Sequence, residues 1–485
     1  MPVSNSIIEQ NPLYVQMPVG QEVIFVVSNQ DAVSNQTKVK FCAEVHISLN
    51  QQPNPSVGTD IIGTFKTTPN NAGVGIFDLR SVVENYVKPD NMAQSVSTYK
   101  GIFTLNPQVR HPMHLIDKYS MNQNAIKYMV IVFYVEFLGA DDGVNTVDPN
   151  RVVRAAGTDA TSNLFTLFNG YLKYTDKLTM GVSPAANDFG YDLSGLQPTS
   201  GATGSFLSNA PLEQYANEDD YGTFAFLVKT GSGNFANGYL DEINIQCYDT
   251  AGVPIGSVIT VDRDVANGAY LNWSADTYIQ LLYFGCFPGN LQNWSTTFQT
   301  QLATGNLDHY SVRGSNSAGG DVTQRYIINV NCPSGRGYES IRLCWLNQWG
   351  VWDYYTFTKK SIKTLSTKGT TYTQLQGTWN NSVYNVDSYK GGKKSFRVNS
   401  TEKIKMNTGF VAEENNVLFE ELMNSPEVYQ LQGYQTDATN ASLNQYVTPV
   451  RVTSTSFITK TLANDRLIQY TFEVEKTKTL RTQAV

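Results

Sequence analysis

The residues best suited to chemistry are few and widely spaced. The chain has four histidines in 485 residues. His111 and His114, in the run HPMH, have the spacing of two metal ligands. A proline separates them and no cysteine or third histidine lies near, so the run reads as a loop carrying surface imidazoles, with no metal site. His46 falls on the polar side of an alternating run, and His309 lies in a polar stretch with no G-x-S-x-G nucleophile elbow. A Ser-His-Asp triad assembled from distant positions stays open at this stage. Glu218, Asp219 and Asp220 offer oxygens of the kind calcium takes, but without the D-x-[DN]-x-[DN]-G spacing they read as a solvated loop. Gly391-Gly392-Lys393-Lys394-Ser395 has the flavour of a phosphate loop. The first glycine and the adjacent Gly-Lys-Ser/Thr are missing, and the flanks look like strands. Paired carboxylates of the kind that hydrolyse glycosides could be drawn from many positions and carry no weight here. No catalytic, cofactor-binding or metal-ligating residue emerges.

Groups that could recognise a partner are better represented. Lys390, Lys393, Lys394, Arg397, Lys403 and Lys405 fall close together, as a solvated basic face on a strand pair or as the complement of an acidic partner. Trp273, Trp294 and Trp379 could stack on sugar rings if exposed, or be buried in a core or an interface.

The elements that must position these residues are strands. In GYESIRLCWLNQWGVWDYYTF, at 337–357, Ile341, Leu343 and Trp345 alternate with Arg342, Cys344 and Leu346, and a turn at 347–350 returns the chain through Val351, Tyr354, Thr356 and Phe357. Such a hairpin needs a facing sheet from elsewhere in the chain. Further strands are predicted at 21–27, 38–48, 61–66 and 125–138, with a short helix at 78–87 that Asp78 could cap and Pro89 ends. After a linker at 141–163, rich in turn formers, strands are predicted at 164–174, 222–228, 239–248, 253–261, 278–287 and 325–331, with a polar insertion at 185–203. A helix is predicted within 409–423, followed by strands at 427–431, 447–453 and 466–475.

The fold class expected is therefore mainly β: tandem antiparallel β-sandwich domains, with a short helix in the first and a small α+β or β region at the C-terminal end. The expected divisions are 1–140, the linker 141–163, 164–360 and 361–485. Length alone suggests about three cores.

Composition narrows the function. Charged residues are 16% of the chain against 41% hydrophobic, and Asn, Gln, Ser and Thr take the place of ions. A surface of that kind suits lasting contact, because uncharged groups cost less to desolvate. The net charge of −7 argues against general nucleic-acid binding, although it divides into −10 for residues 1–360 and +3 for residues 361–485. Five cysteines, four of them in apolar runs, fit core residues of a chain made in a reducing cytoplasm. The first residues lack the pattern of a signal peptide, and no apolar run approaches the length of a membrane span.

Three segments carry a resemblance. Trp345-Leu346-Asn347 with Gly350 and Asp353-Tyr354-Tyr355-Thr356-Phe357 form the first, and Phe206-Leu207-Ser208-Asn209-Ala210-Pro211 followed by Tyr221-Gly222-Thr223 the second. The third is Leu467-Ile468-Gln469-Tyr470-Thr471-Phe472-Glu473-Val474-Glu475. They resemble virion structural proteins of tailed bacteriophages, above all large β-sandwich proteins of the tail, baseplate or neck. The resemblance implies a homo-oligomeric ring or collar with no cofactor, in contact with copies of itself and other virion proteins and assembled in the host cytoplasm. A receptor- or glycan-binding fibre or adhesin, meeting a host-surface glycan, is the alternative. A polysaccharide-degrading enzyme is a more distant third.

Overall fold

The computed structural model describes residues 3–12, 15–48, 53, 60–88, 113–121, 124–144, 147–172, 178–180, 189–191, 201–229, 240–262, 279–316, 318–331, 338–380, 382–431, 447–460, 468–477 and 480–481. His111, Trp273, Cys332 and most of the insertion expected at 185–203 lie outside them. The chain is mainly β, built of several antiparallel sheets with short helices between them. Three buried apolar clusters organise it.

The first cluster in chain order lies between a three-stranded and a seven-stranded sheet. Ile24–Ser28 runs between Ile7–Gln10 and Val74–Asp78, and faces a sheet whose centre is Ile126–Leu138 beside Lys40–Ser48. The alternation Phe41, Ala43, Val45 sends every second side chain inward, where Phe25, Phe77 and Phe133 meet at ring separations of 5.5 to 5.7 Å. Gly75 allows this closeness, since a Cβ there would lie 2.6 Å from that of Phe41. The helix expected over 78–87 is a single turn, Arg80–Val83. Asp78 does accept from the amide of Arg80 at 3.0 Å, but it also accepts from that of Val23, so it ties the turn to the chain before Ile24–Ser28.

The stretch expected as a linker is part of the same sheet. Val152–Arg154 and Ala160–Thr161 pair with Ile126–Leu138, and so does Phe165–Phe168, which was expected to open the next domain. Ile126–Leu138 is 13 residues long, so one side of it has room for all three short strands, and the turn formers that suggested a linker lie between them.

The central cluster is enclosed by a five-stranded sheet, ordered Glu213–Asn217, Tyr326–Asn331, His309–Ser315, Glu242–Tyr248, Pro254–Asp262, and a three-stranded sheet centred on Ile279–Gly285. Two short helices, Pro288–Trp294 and Thr296–Ala303, also contribute to it; they were not anticipated.

The hairpin Ile341–Leu346/Trp352–Phe357 belongs to an eight-stranded sheet that continues through Val428–Leu431, Val447–Val452, Thr471–Lys476, Gly392–Asn407 and Ile362–Gln374. The boundary expected at 360 therefore falls inside one sheet. All six residues of Ile341–Leu346 are buried. Ile341, Leu343 and Trp345 enter the C-terminal cluster, closed by helix Asn415–Asn424, while Cys344 and Leu346 enter the central one. The hairpin is thus a wall shared by two cores, which is why it lacks a polar face.

Candidate interaction surface

Two places gather the residues that could act: a polar junction inside the molecule and a ribbon outside it.

The junction is built on the shared wall. Arg342 projects from it into the central module, with Nε donating to the carbonyl of Tyr221 at 2.8 Å and Nη1 donating to Thr356 Oγ1 at 2.7 Å. Nη1 also lies 3.3 Å from Asp220 Oδ2, which accepts from Thr356 Oγ1 at 2.6 Å and from the amide of Asn217 at 2.8 Å. The guanidinium lies over the rings of Phe287 and Tyr354. Gly222 leaves the space, since a Cβ there would lie 2.7 Å from Phe287 and 3.0 Å from Arg342 Nη2. The acidic run 218–220 is accordingly only partly the solvated loop expected: Asp220 is buried against Arg342, while Asp219 stays exposed. An arginine 122 positions away gave no sequence signal for this pairing.

His114 is a second correction. It is completely buried, its Nδ1 sharing a hydrogen bond with the Tyr354 hydroxyl at 2.8 Å, which in turn meets Thr223 Oγ1 at 3.1 Å. Its Nε2 lies 3.7 Å from Cys344 Sγ. Cysteine beside histidine is a nucleophilic arrangement on paper. Here burial, with Arg342 adding to it, pushes the imidazole down to about 3, and burial pushes the Cys344 thiol well above its ordinary value. Neither group takes its charged form near neutrality, so the pair fills space and anchors Tyr354. His46 is buried as well, against Glu44 at 3.0 Å, on the side of its strand opposite the core. His309 stacks on Tyr248 with ring centroids 4.9 Å apart and meets Asp308 at 2.9 Å. Among the described residues no group of three or more His, Cys, Asp or Glu is placed to hold a metal ion.

A second part of the junction joins the 206–211 segment to the hairpin. Asp353 accepts from Ser208 Oγ at 2.5 Å and from Asn347 Nδ2 at 3.0 Å, and Glu421 accepts from Asn209 Nδ2 at 2.7 Å. Burial raises the Asp353 carboxyl to about 6. The segments singled out in the sequence for their resemblance thus converge: 206–211 and 221–223 both meet the hairpin, and Phe472 of the third packs edge-on to Phe357. Their work is to lock modules together.

The ribbon is the opposite case. Ile362–Gln374 and Gly392–Asn407 pair through thirteen register positions, about 40 Å of ladder. Among the described residues only the base of Gly392–Asn407 has another strand neighbour, Thr471–Lys476 at residues 403–407 and Leu480–Arg481 at 399–400. Beyond this the two strands pair, among the described residues, with each other alone, and both faces are largely exposed. At the far end Gly377–Asn380 and Val383–Val386 form a small hairpin. Trp379 and Tyr384 are paired there, and Val386 shares their face opposite Gly377, whose missing side chain leaves room for the Tyr384 ring. Trp379 is 66% exposed, and Tyr389 and Leu375, flanking the small hairpin, 73% and 76%. Trp294, by contrast, is half-buried, with Lys118 over its ring.

The six basic residues split between these settings. Lys403 and Lys405 stand at the base opposite Glu475 and Glu473, and Lys403 pairs with Glu473 at 3.3 Å. Lys390 is held at the turn by Asp387 at 3.2 Å. Lys393, Lys394 and Arg397 are on the ribbon, where they meet no carboxylate among the described residues, and nor does Lys368 on the opposite strand. Register places Arg397 opposite Thr370 and Lys394 opposite Tyr372, two positions apart on one face, while Phe396 forms a bulge between them. Gly391 and Gly392, at φ +93° and +74°, lead into a strand, so no helix start is available to cradle phosphate.

No family model matches the chain, and no curated protein matches it either.

Proposed function

We propose that the chain is a non-enzymatic structural subunit of a phage virion, of the tail, baseplate or neck type, that assembles with copies of itself and with other virion proteins. The observation that carries the reading is the ribbon at 362–407. A two-stranded ladder with both faces in water gains little from burial and is marginal unless something else packs on it. This one ends in Trp379 and Tyr384, residue types that anchor protein interfaces, and carries basic charge that meets no carboxylate among the described residues and would steer an acidic partner. The resemblance of the three segments supplies the virion setting. The low-charge surface and the interlocked junction suit a part that transmits position without changing shape.

Mass spectrometry and cryo-microscopy of purified particles test this. The chain is expected as a multicopy component at fixed stoichiometry, and intact particles that lack it would remove the reading. The exposed Trp379 favours a second reading, a glycan-binding fibre. Glycan-array binding that disappears with Trp379→Ala would favour that instead.

A further inference from the structure

We propose that the ribbon of one copy docks, head to tail, on the acidic outer face of the central five-stranded sheet of a neighbouring copy. This rests on the reading of the chain as an assembling subunit and goes further by naming the partner surface.

Charge is the first ground. Residues 361–400 hold six Lys and Arg against Asp387 alone, whereas the described residues of 205–330 that are not buried include eight Asp and Glu against Arg313 and Arg325. One chain therefore carries both halves of a complementary pair. Lys368, Lys393, Lys394 and Arg397 meet no carboxylate among the described residues, so there the ribbon's charge faces outward.

The second ground is the form of the acidic face. Glu213 and Tyr215 alternate outward on the edge strand Glu213–Asn217, and Tyr215 is 60% exposed. Partial burial, with Glu213 and to a smaller extent Asp308 adding to it, raises the Tyr215 phenol above its usual range. His309, stacked on Tyr248, continues the face on the neighbouring strands. Glu213 and Asp308 beside an exposed tyrosine suit a ribbon whose tip presents Trp379 and Tyr384 and whose stem presents Lys394 and Arg397. A contact between two different patches of the same chain is heterologous, so it closes into a ring or continues as a filament.

Sedimentation velocity of the full chain over a concentration series tests the proposal. Wild type is expected to self-associate, and raising ionic strength from about 0.05 M to about 0.5 M should weaken the association by about tenfold, because the charged contacts are exposed. Reversing the ribbon (Lys393→Glu, Lys394→Glu, Arg397→Glu) should leave a monomer, as should reversing the platform (Glu213→Lys, Asp308→Lys), each with an unchanged melting temperature. An equimolar mixture of the two variants should associate again, since each then offers what the other lacks. Trp379→Ala with Tyr384→Ala should weaken association by about a hundredfold without altering its salt dependence. A wild-type chain that stays monomeric overturns the proposal, and so does a ribbon variant that dissociates while the platform variant assembles normally. That second result would place the ribbon against a different patch of the neighbouring copy. If the monomer is nonetheless a stoichiometric component of particles, the structural role stands and only the head-to-tail contact is lost. If the purified chain assembles as described but is missing from particles, the reverse holds.

Discussion

Two hairpins follow one another in the chain and lie in one sheet, yet they meet opposite surroundings. Ile341–Leu346/Trp352–Phe357 is buried on both faces, and Ile362–Gln374/Gly392–Asn407 is largely exposed on both. Backbone pairing alone does not distinguish them, since both are regular antiparallel ladders. Side chains do: the first is Leu, Trp, Tyr and Phe around one arginine, the second mostly Thr, Ser, Lys and Asn. The comparison teaches that a ladder stabilises a fold through what its faces bury. A ladder that buries nothing serves what it will later meet.

The largest expected effect breaks the buried hairpin. Arg342→Met leaves Asp220 buried with only Thr356 and Asn217 as donors, and should cost about 3–5 kcal/mol of unfolding free energy. Thermal or urea unfolding measures it. Adding Asp220→Leu should recover part of the loss, because an apolar pair costs less than a lone buried carboxylate. If the single variant melts within a degree of wild type, the junction is not what joins the modules.

Gly350→Ala comes next. Gly350 has φ +71°, and a Cβ there would lie 2.0 Å from the carbonyl oxygen of Asn169, where the hairpin turn meets the end of the first sheet. A loss of about 2 kcal/mol or more in the same unfolding assay is expected. The refolded variant should keep its self-association, which separates this contact from the ribbon.

Asp353→Asn sharpens the comparison through pH. Burial raises the Asp353 carboxyl from its ordinary 3.8 to about 6. The folded state therefore holds a proton that the unfolded chain has released between those values. The stability this brings is fully present below about pH 4 and is lost as pH rises through about 6. Asp117, also raised to about 6 by burial, acts in the same window. Replacing Asp353 by Asn should cost about 1–3 kcal/mol at neutral pH, through mismatched bonds to Ser208 and Asn347, and should flatten the pH 4 to 6 slope of melting temperature. An unchanged slope would mean that Asp353 does not titrate in this range.

The two hairpins also differ in how far the sequence revealed them. Apolar alternation located the buried one and most strands around it, because burial leaves a period-two trace. It could not show that Asp220 finds Arg342, or that His114 sits inside the core, since those pairings depend on how distant segments close. The ribbon left a different trace. IKTLSTKGTTYTQ is rich in β-branched threonine but has no apolar face, a pattern that gives little reason to place a strand when burial is the criterion. The basic residues were legible as a group and as lying on a strand pair. Their division between a neutralised base and an uncompensated stem was not, because it depends on Glu473 and Glu475 arriving from some 70 positions later. Trp379 was one of three candidate tryptophans, and only its position at the end of an unsupported ladder sets it apart from Trp294.

The smallest expected effect on stability is also the most informative. Replacing residues 369–398 by Asn-Gly would close Lys368 directly onto Asn399, which are already register partners, with a turn suited to two-residue hairpins. The pairs with Thr471–Lys476 at 403–407 and with Leu480–Arg481 at 399–400 are retained, so the sheet keeps its edge. What is removed has little buried surface, and its hydrogen bonds largely offset the chain entropy of ordering it. The change in unfolding free energy should stay within about 0.5 kcal/mol, while sedimentation should show association lost. A drop of several degrees in melting temperature would mean that the ribbon packs on its own molecule after all, and would remove the contrast between the two hairpins. A variant that is both fully stable and fully assembled would leave that contrast standing and take away the ribbon's role as the docking element.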